Sequence, residues 1–275
     1  MKKRYYLIMA AMLILTIVLL NGGIPKKLEA PIFVKNLVCS CDMDAEVEFI
    51  TNNNYKLKVK DIEIPNMPEN LSLDFYDEEI EEWSKYDIHN LSFGIGADEL
   101  SEDGGLKEDF VFHEIIVKWE DGTETKADIG TIHMTANSED FVLENTGTQH
   151  AYPNDNMVET QELFVATQKM NITDIGIPYS NKVPNFIIDI YFNGEPVESI
   201  SEEAPLTVKK GDQCELTYTM DNSVQKQYGR IFIEGVITGK TSDGERFLDK
   251  FYINGSVGRH MPDWAEEQIA KCKKL

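Results

Sequence analysis

From Pro31 onward, apolar and polar residues alternate in short runs with the period of two expected of half-buried strands. Residues 32–38 and 46–50 read as short strands, Asn52-Asn53-Asn54 as a turn, and residues 55–64 as a longer strand with a fault in it. Leu57 and Val59 share one face of that strand. Ile62 and Ile64 take the opposite phase, so the alternation slips at Lys60-Asp61. The same fault returns 113 residues later, where Met170 and Ile172 slip against Ile175 and Ile177 at Thr173-Asp174 within KMNITDIGIP, the counterpart of KLKVKDIEIP. A slip of one residue throws a strand's apolar set onto the wrong face unless a bulge absorbs it, so a shared slip points to a shared architecture.

Two more landmark pairs keep the same order. Leu73-Asp74-Phe75-Tyr76 answers Ile188-Asp189-Ile190-Tyr191, and the 112–128 stretch answers 232–249, each turning at Asp-Gly (Asp121-Gly122, Asp243-Gly244). The pattern predicts an all-β chain of two tandem immunoglobulin-like sandwiches, an acidic one over 31–150 and a second over 157–260. Residues 144–156, rich in Gly, Pro, Asn and Asp, read as the linker between them. Ile80, Trp83 and Tyr86 recur at helical spacing and predict a short surface helix inserted in the first unit. The tail, 261–275, has Pro262 in its first turn, acids early and lysines late, and predicts a short helix.

The N-terminus breaks the strand pattern. Lys2, Lys3 and Arg4 precede a charge-free run from Tyr5 to Leu20, which spans about 24 Å as a helix and about 31 Å if extended to Pro25. Residues 1–25 therefore predict a single-pass membrane anchor with the remainder outside the cytoplasm. A cleaved signal peptide and a secreted product is the alternative, for which Asn21-Gly22-Gly23 is a poor cleavage site.

Charge narrows the partners. Eight basic against 28 acidic side chains in residues 31–150 give −20, and 13 against 19 in residues 151–275 give −6, within a total of −22. Such a surface repels phosphate backbones and excludes nucleic acid. It favours a protein or envelope component of basic character.

Four cysteines carry the most chemical-looking positions. Cys39 and Cys41 form a Cys-x-Cys pair too far apart along a strand to bridge each other comfortably, so structural disulfides with Cys214 or Cys272 are expected. Thiol-redox or soft-metal chemistry at Cys39 and Cys41 is the alternative. Among the acidic runs, Asp98, Glu99, Glu102 and Asp103 are weak candidates for a cation, lacking the spacing of a helix-loop-helix calcium site. The five histidines include no His-x-x-x-His pair, although His113 and His133 sit where neighbouring strands could bring them together. No serine elbow or phosphate-cradling glycine loop is present. The expected role is a non-enzymatic, cofactor-free ectodomain that binds a protein or envelope component. A sensory ectodomain of a membrane signalling complex is a further alternative, disfavoured by a cytoplasmic segment of only a few residues.

Overall fold

The computed structural model describes residues 27–53, 55–82, 86–101, 105–136, 140, 142–154, 157–183, 185–221, 224, 227–255 and 261–272. The expected membrane anchor, residues 1–25, lies outside them, and none of the described helices is long and apolar enough to cross a membrane. The described chain is dominated by strands in several sheets. Its first half holds β1 (Ile32–Phe33), β2 (Asn36–Ser40), β3 (Asp44–Asn52), β4 (Val59–Glu63), β5 (Leu71–Glu82), β6 (Tyr86–Ala97), β7 (Phe110–Trp119) and β8 (Glu124–Met134). The second holds β9 (Leu143–Asn154), β10 (Met157–Ala166), β11 (Met170–Gly176), β12 (Ile187–Phe192), β13 (Glu195–Pro196), β14 (Leu206–Val208), β15 (Gln213–Asp221), β16 (Ile231–Thr241) and β17 (Arg246–Asn254). A 3-10 turn covers Ser180–Lys182, and helix α1 spans Met261–Cys272.

The two halves repeat one pairing scheme. β6 lies between β3 and β5 as β15 lies between β10 and β12; β7 lies between β4 and β8 as β16 lies between β11 and β17. The phase slips become bulges at matching places. Pairing passes from Val59↔Trp119 to Asp61↔Lys118, leaving Lys60 out, and from Ile172↔Gly239 to Asp174↔Thr238, leaving Thr173 out. Each bulged strand lies against the first arm of an Asp-Gly hairpin whose glycine is left-handed, Gly122 at φ 85° and Gly244 at φ 86°. A left-handed turn residue is where glycine costs least. In the first half, Val47, Phe49, Leu91 and Phe93 of one sheet meet Ile115, Val117 and Trp119 of the other in a sandwich-like core. Phe164, Leu216 and Tyr218 meet Ile233, Ile237 and Phe251 in the second.

Strand β2 joins the halves. It pairs in parallel with β8 on one side, Asn36↔Gly130 through Ser40↔Met134, and in parallel with β16 on the other, Leu37↔Ile231 through Cys39↔Ile233. The result is one eight-stranded sheet running β14-β11-β16-β2-β8-β7-β4, with β17 also on β16. Because side chains alternate, Leu37 and Cys39 enter the second half's core while Val38 packs on the first. Strand β2 thus contributes to both cores, and Val142 and Leu143 pack with the second.

Two expected elements take other forms. Residues 144–154 of the expected linker belong to β9, an edge strand paired with β10, and an edge tolerates the Gly and Pro that made the segment read as loop; 155 and 156 lie outside the described residues. Of the expected surface helix, Trp83 lies outside the described residues, while Ile80 and Tyr86 belong to β5 and β6, with Glu78↔Leu91 and Ile80↔His89 in register. β6 is covered on both faces at its start. Tyr86 and Ile88 pack with Leu28, Val34, Ile50 and, from α1, Ala265 and Ile269, while Leu91, Phe93 and Ile95 face the core, and double burial erases the period-two signal. The tail is helical as expected and docks back on the first half.

Gly130 fixes the approach of β2 to β8. Its φ is +87°, and a Cβ there would fall on the backbone of the fully buried Asn36. Gly130→Ala is expected to cost about 1–3 kcal/mol through strain at a left-handed position, read as a lower urea midpoint with unchanged slope. A variant as stable as the parent would show that β2 can shift to admit a methyl group.

Candidate functional site

The join made by β2 gathers the chain's unusual side chains. Parallel register sets Cys39 beside His133 of β8, with Sγ 3.5 Å from Nδ1. On its other side, His133 Nε2 lies 2.8 Å from Asp109 Oδ2, while Asp109 Oδ1 accepts the Ala136 amide at 2.9 Å. Partial burial works against the Asp109 carboxylate, but the Ala136 amide and His133 outweigh it and hold its pKa below the ordinary value. Nε2 therefore donates to Asp109 and Nδ1 is left as an acceptor. Into that nitrogen the Tyr179 hydroxyl donates at 3.0 Å, reaching over from the second half with its ring edge-on to the imidazole. Tyr179 holds a left-handed backbone, φ 58° and ψ 16°, rare for a non-glycine residue and a mark of a position its surroundings over-determine. Lys182 Nζ sits 4.7 Å from the centre of the Tyr179 ring and 3.3 Å from Thr131 Oγ1.

Cys39, His133 and Asp109 sit in the order of a thiol hydrolase triad, but the electrostatics oppose that chemistry. Burial, with Glu234 and Asp109 nearby, pushes the Cys39 thiol up to about 12, so the nucleophilic thiolate is suppressed at neutral pH. The tyrosine hydroxyl also occupies the nitrogen that would act as base.

The end of β2 is tied down by a second group. Ser40 Oγ donates to Glu234 Oε1 at 2.8 Å, the Cys41 amide donates to Oε2 at 2.9 Å, and Lys250 Nζ lies 3.3 Å from Oε2. Glu234 and Lys250, on β16 and β17, are each 3 % exposed. The Cys41 thiol interacts with Lys250, and its pKa is raised by burial despite that cation.

The expected disulfides are not formed: Cys39, Cys41 and Cys214 are free thiols. Their surroundings keep them apart. Cys39 faces His133, Cys41 faces Lys250, and Cys214 is buried on β15 opposite Phe164 and Phe192, where burial lifts its pKa to about 11. The side chain of Cys272 lies outside the described part. Cys39 and Cys41 thus have different neighbours.

Beside the join, a groove of about 780 Å³ opens between the halves, lined by Lys35, His113, Asp128 and Thr131 from the first and Lys182 and Tyr228 from the second. A bulge in β7 shapes it. Phe110 and Phe112 point inward before the bulge and Ile115, Val117 and Trp119 after it, which turns Val111 and His113 outward. His113 Nδ1 donates to the Gly130 carbonyl at 2.8 Å, and Lys35 pairs with Asp128 at 2.6 Å. His113 and His133 consequently serve different neighbours rather than one site. Lys35 and Lys182 balance Glu114 and Asp128 along the lining, so the groove is close to neutral on a chain of charge −22.

Of the acidic candidates, only Asp98 and Glu99 are described. Asp98 and Glu99 follow β6, Glu99 pairs with Lys107 at 2.5 Å, and Glu102 and Asp103 lie outside the described residues. Among the described residues no three of His, Cys, Asp and Glu are placed to hold a metal. The residues sequence reading missed are Asp109, Tyr179, Glu234 and Lys250. Alternation did not mark Glu234 and Lys250, which stand out of phase with the core residues Ile233 and Ile237 on one strand and Phe247 and Phe251 on the other.

No protein-family model matches this chain. No curated protein sequence matches it either. Solved structures similar to it include a protein of unknown function from Porphyromonas gingivalis W83, 13% identical with TM-score 0.21, over 79% of this chain and 94% of that one. The collagen binding domain of the surface protein RspB from Erysipelothrix rhusiopathiae is 14% identical with TM-score 0.23, over 82% and 94%. The secreted serine protease VesC from Vibrio cholerae is 9% identical with TM-score 0.21, over 79% and 48%. Likenesses this low do not bear on what the chain binds.

Proposed function

We propose that this chain is a non-catalytic binding protein, two immunoglobulin-like units held outside the cytoplasm by residues 1–25, that takes a protein segment in the groove between its halves. The observation that carries this is the groove itself, open, polar and lined by side chains of both halves. Its lining offers charges of both signs, Lys35 and Lys182 beside Glu114 and Asp128, to a bound segment. The repeated strand pairing, β3-β6-β5 with β8-β7-β4 and β10-β15-β12 with β17-β16-β11, supports the immunoglobulin-like reading, as does the parallel contact of β2 with β8. A buried thiol held near 12 and a histidine whose acceptor nitrogen is already taken favour binding over catalysis.

A photo-crosslinking amino acid at Val111, 43% exposed on the groove wall, tests this in cells of the source organism. One discrete protein adduct is expected at Val111 and none at Tyr76, an exposed residue of β5 outside the groove lining. Lys182→Glu, placed on the Val111 background, should reduce that adduct at least about tenfold, since each 1.4 kcal/mol of lost contact is a factor of ten. Equal adducts at both positions, or one indifferent to Lys182→Glu, would rule the groove out as the binding site.

A further inference from the structure

We propose that Cys39, His133 and Tyr179 form a site for a divalent transition metal ion of the zinc type, with Asp109 holding His133 from behind.

Two X–H groups aim at one acceptor nitrogen. With Nε2 donating to Asp109, His133 Nδ1 offers one lone pair, yet both the Tyr179 hydroxyl, at 3.0 Å, and the Cys39 thiol, at 3.5 Å, converge on it. One lone pair cannot serve two X–H groups. A cation in their place lets sulfur, nitrogen and oxygen all act as ligands.

The separations also suit a metal. Ligands on a tetrahedral zinc, at about 2.3 Å for sulfur and about 2.0–2.1 Å for nitrogen or oxygen, stand about 3.6 Å apart for sulfur and nitrogen and about 3.3 Å for nitrogen and oxygen. The observed 3.5 and 3.0 Å need only small adjustment.

Support stands ready behind the imidazole. A metal-bound histidine commonly donates its other N–H to a carboxylate, which fixes tautomer and ring orientation, and Asp109, itself anchored by the Ala136 amide, stands in that role at 2.8 Å. The backbone of Tyr179 is held in a left-handed conformation that brings the hydroxyl to this spot. Cys41 takes no part, being engaged with Lys250.

Three protein ligands leave a fourth position for water or an incoming group, reached from the edge where the His133 side chain is 16% exposed. Binding releases the Cys39 proton to solvent, and the Tyr179 proton too where the phenolate coordinates, with no change of oxidation state. Affinity should therefore rise with pH. Its three ligands line no part of the groove, though Lys182 of the groove wall packs on the Tyr179 ring, and the site does not depend on the function proposed for the groove.

The test is a cobalt(II) titration of the full-length chain, stripped with chelator and kept reduced with a phosphine. Saturation at one equivalent is expected, with a thiolate-to-cobalt charge-transfer band that Cys39→Ser removes and Cys41→Ser leaves intact. Tyr179→Phe, which keeps the ring, and Asp109→Asn should each weaken affinity, the latter about 10–100-fold as loss of an outer carboxylate does. Absence of the band in the parent, or its persistence in Cys39→Ser, overturns the proposal. Should Cys39→Ser not fold, X-ray absorption on the zinc-loaded parent decides: one sulfur scatterer among nitrogen and oxygen supports the site, and an all-oxygen shell places the ion on the acidic surface instead.

Discussion

Replacing Glu234 by Leu is expected to cost about 3–5 kcal/mol, more than most single changes elsewhere in the chain, because it leaves the Lys250 ammonium buried without its carboxylate. Both side chains are almost wholly enclosed, and the same carboxylate accepts from Ser40 and from the Cys41 amide. Adding Lys250→Met should recover much of the loss, since an apolar pair of similar volume removes two desolvated charges together. The recovery stays incomplete because Ser40 and Cys41 lose their acceptor. The exposed pair Lys35–Asp128 serves as the contrast: its side chains are 55% and 57% exposed, and Lys35→Ala should cost no more than about 1 kcal/mol. Urea unfolding of the four proteins checks this. If Glu234→Leu and Lys35→Ala cost the same, the enclosed pair does not lock β2 to the second half.

Glu162 should make the fold lose stability as pH rises toward neutrality. The side chain is 1% exposed on β10; burial pushes its pKa to about 7, against the pull of the Tyr252 amide and the Asn145 side chain, whose Nδ2 donates to Oε2 at 2.8 Å. The Tyr218 hydroxyl stands in the same neighbourhood and stays protonated, its own pKa raised to about 12 chiefly by burial. With the folded pKa above the unfolded one, the native state binds this proton more tightly. Its contribution is complete below about pH 4.5 and is lost as pH climbs through about 7. The swing is about 3 kcal/mol, since a tenfold difference in proton affinity between the folded and unfolded chain is worth about 1.4 kcal/mol. Glu162→Gln should flatten that part of the profile and exceed the parent in stability at pH 8 by about 2–3 kcal/mol. Parallel profiles for the two proteins between pH 4 and 8 would mean that Glu162 ionises in the fold without penalty.

What could be read from the sequence was whatever has a local cause. The slips at Lys60 and Thr173 became bulges because a one-residue fault in alternation has to be absorbed where it occurs. The Asp-Gly pairs became hairpin turns, and the tail with its Pro262, early acids and late lysines became a helix. What escaped was set by partners distant in sequence. Parallel pairing leaves no turn signature, so nothing in NLVCS announced that β2 would lie between β8 and β16. Tyr86 completed a helical spacing with Ile80 and Trp83 because α1 covers the face of β6 on which Tyr86 lies, which would otherwise have been polar. At the candidate site, Cys39 stood out by its chemistry. Tyr179 did not, since its left-handed backbone lies in IPYSNK, where no glycine flags it.

The shared strand also sets a timetable for the chain. Ser40 meets Glu234 across 194 residues, and Leu28 is covered by Ala265 and Ile269 of α1, which follow both halves in the chain. A polypeptide emerging N-terminus first therefore presents Leu37 and Cys39 as an apolar face whose cover has not yet been synthesised. Contacts of such separation close late, and a partly emerged strand with one free edge invites the wrong neighbour. The earlier half, though first off the ribosome, is finished only when the later half arrives.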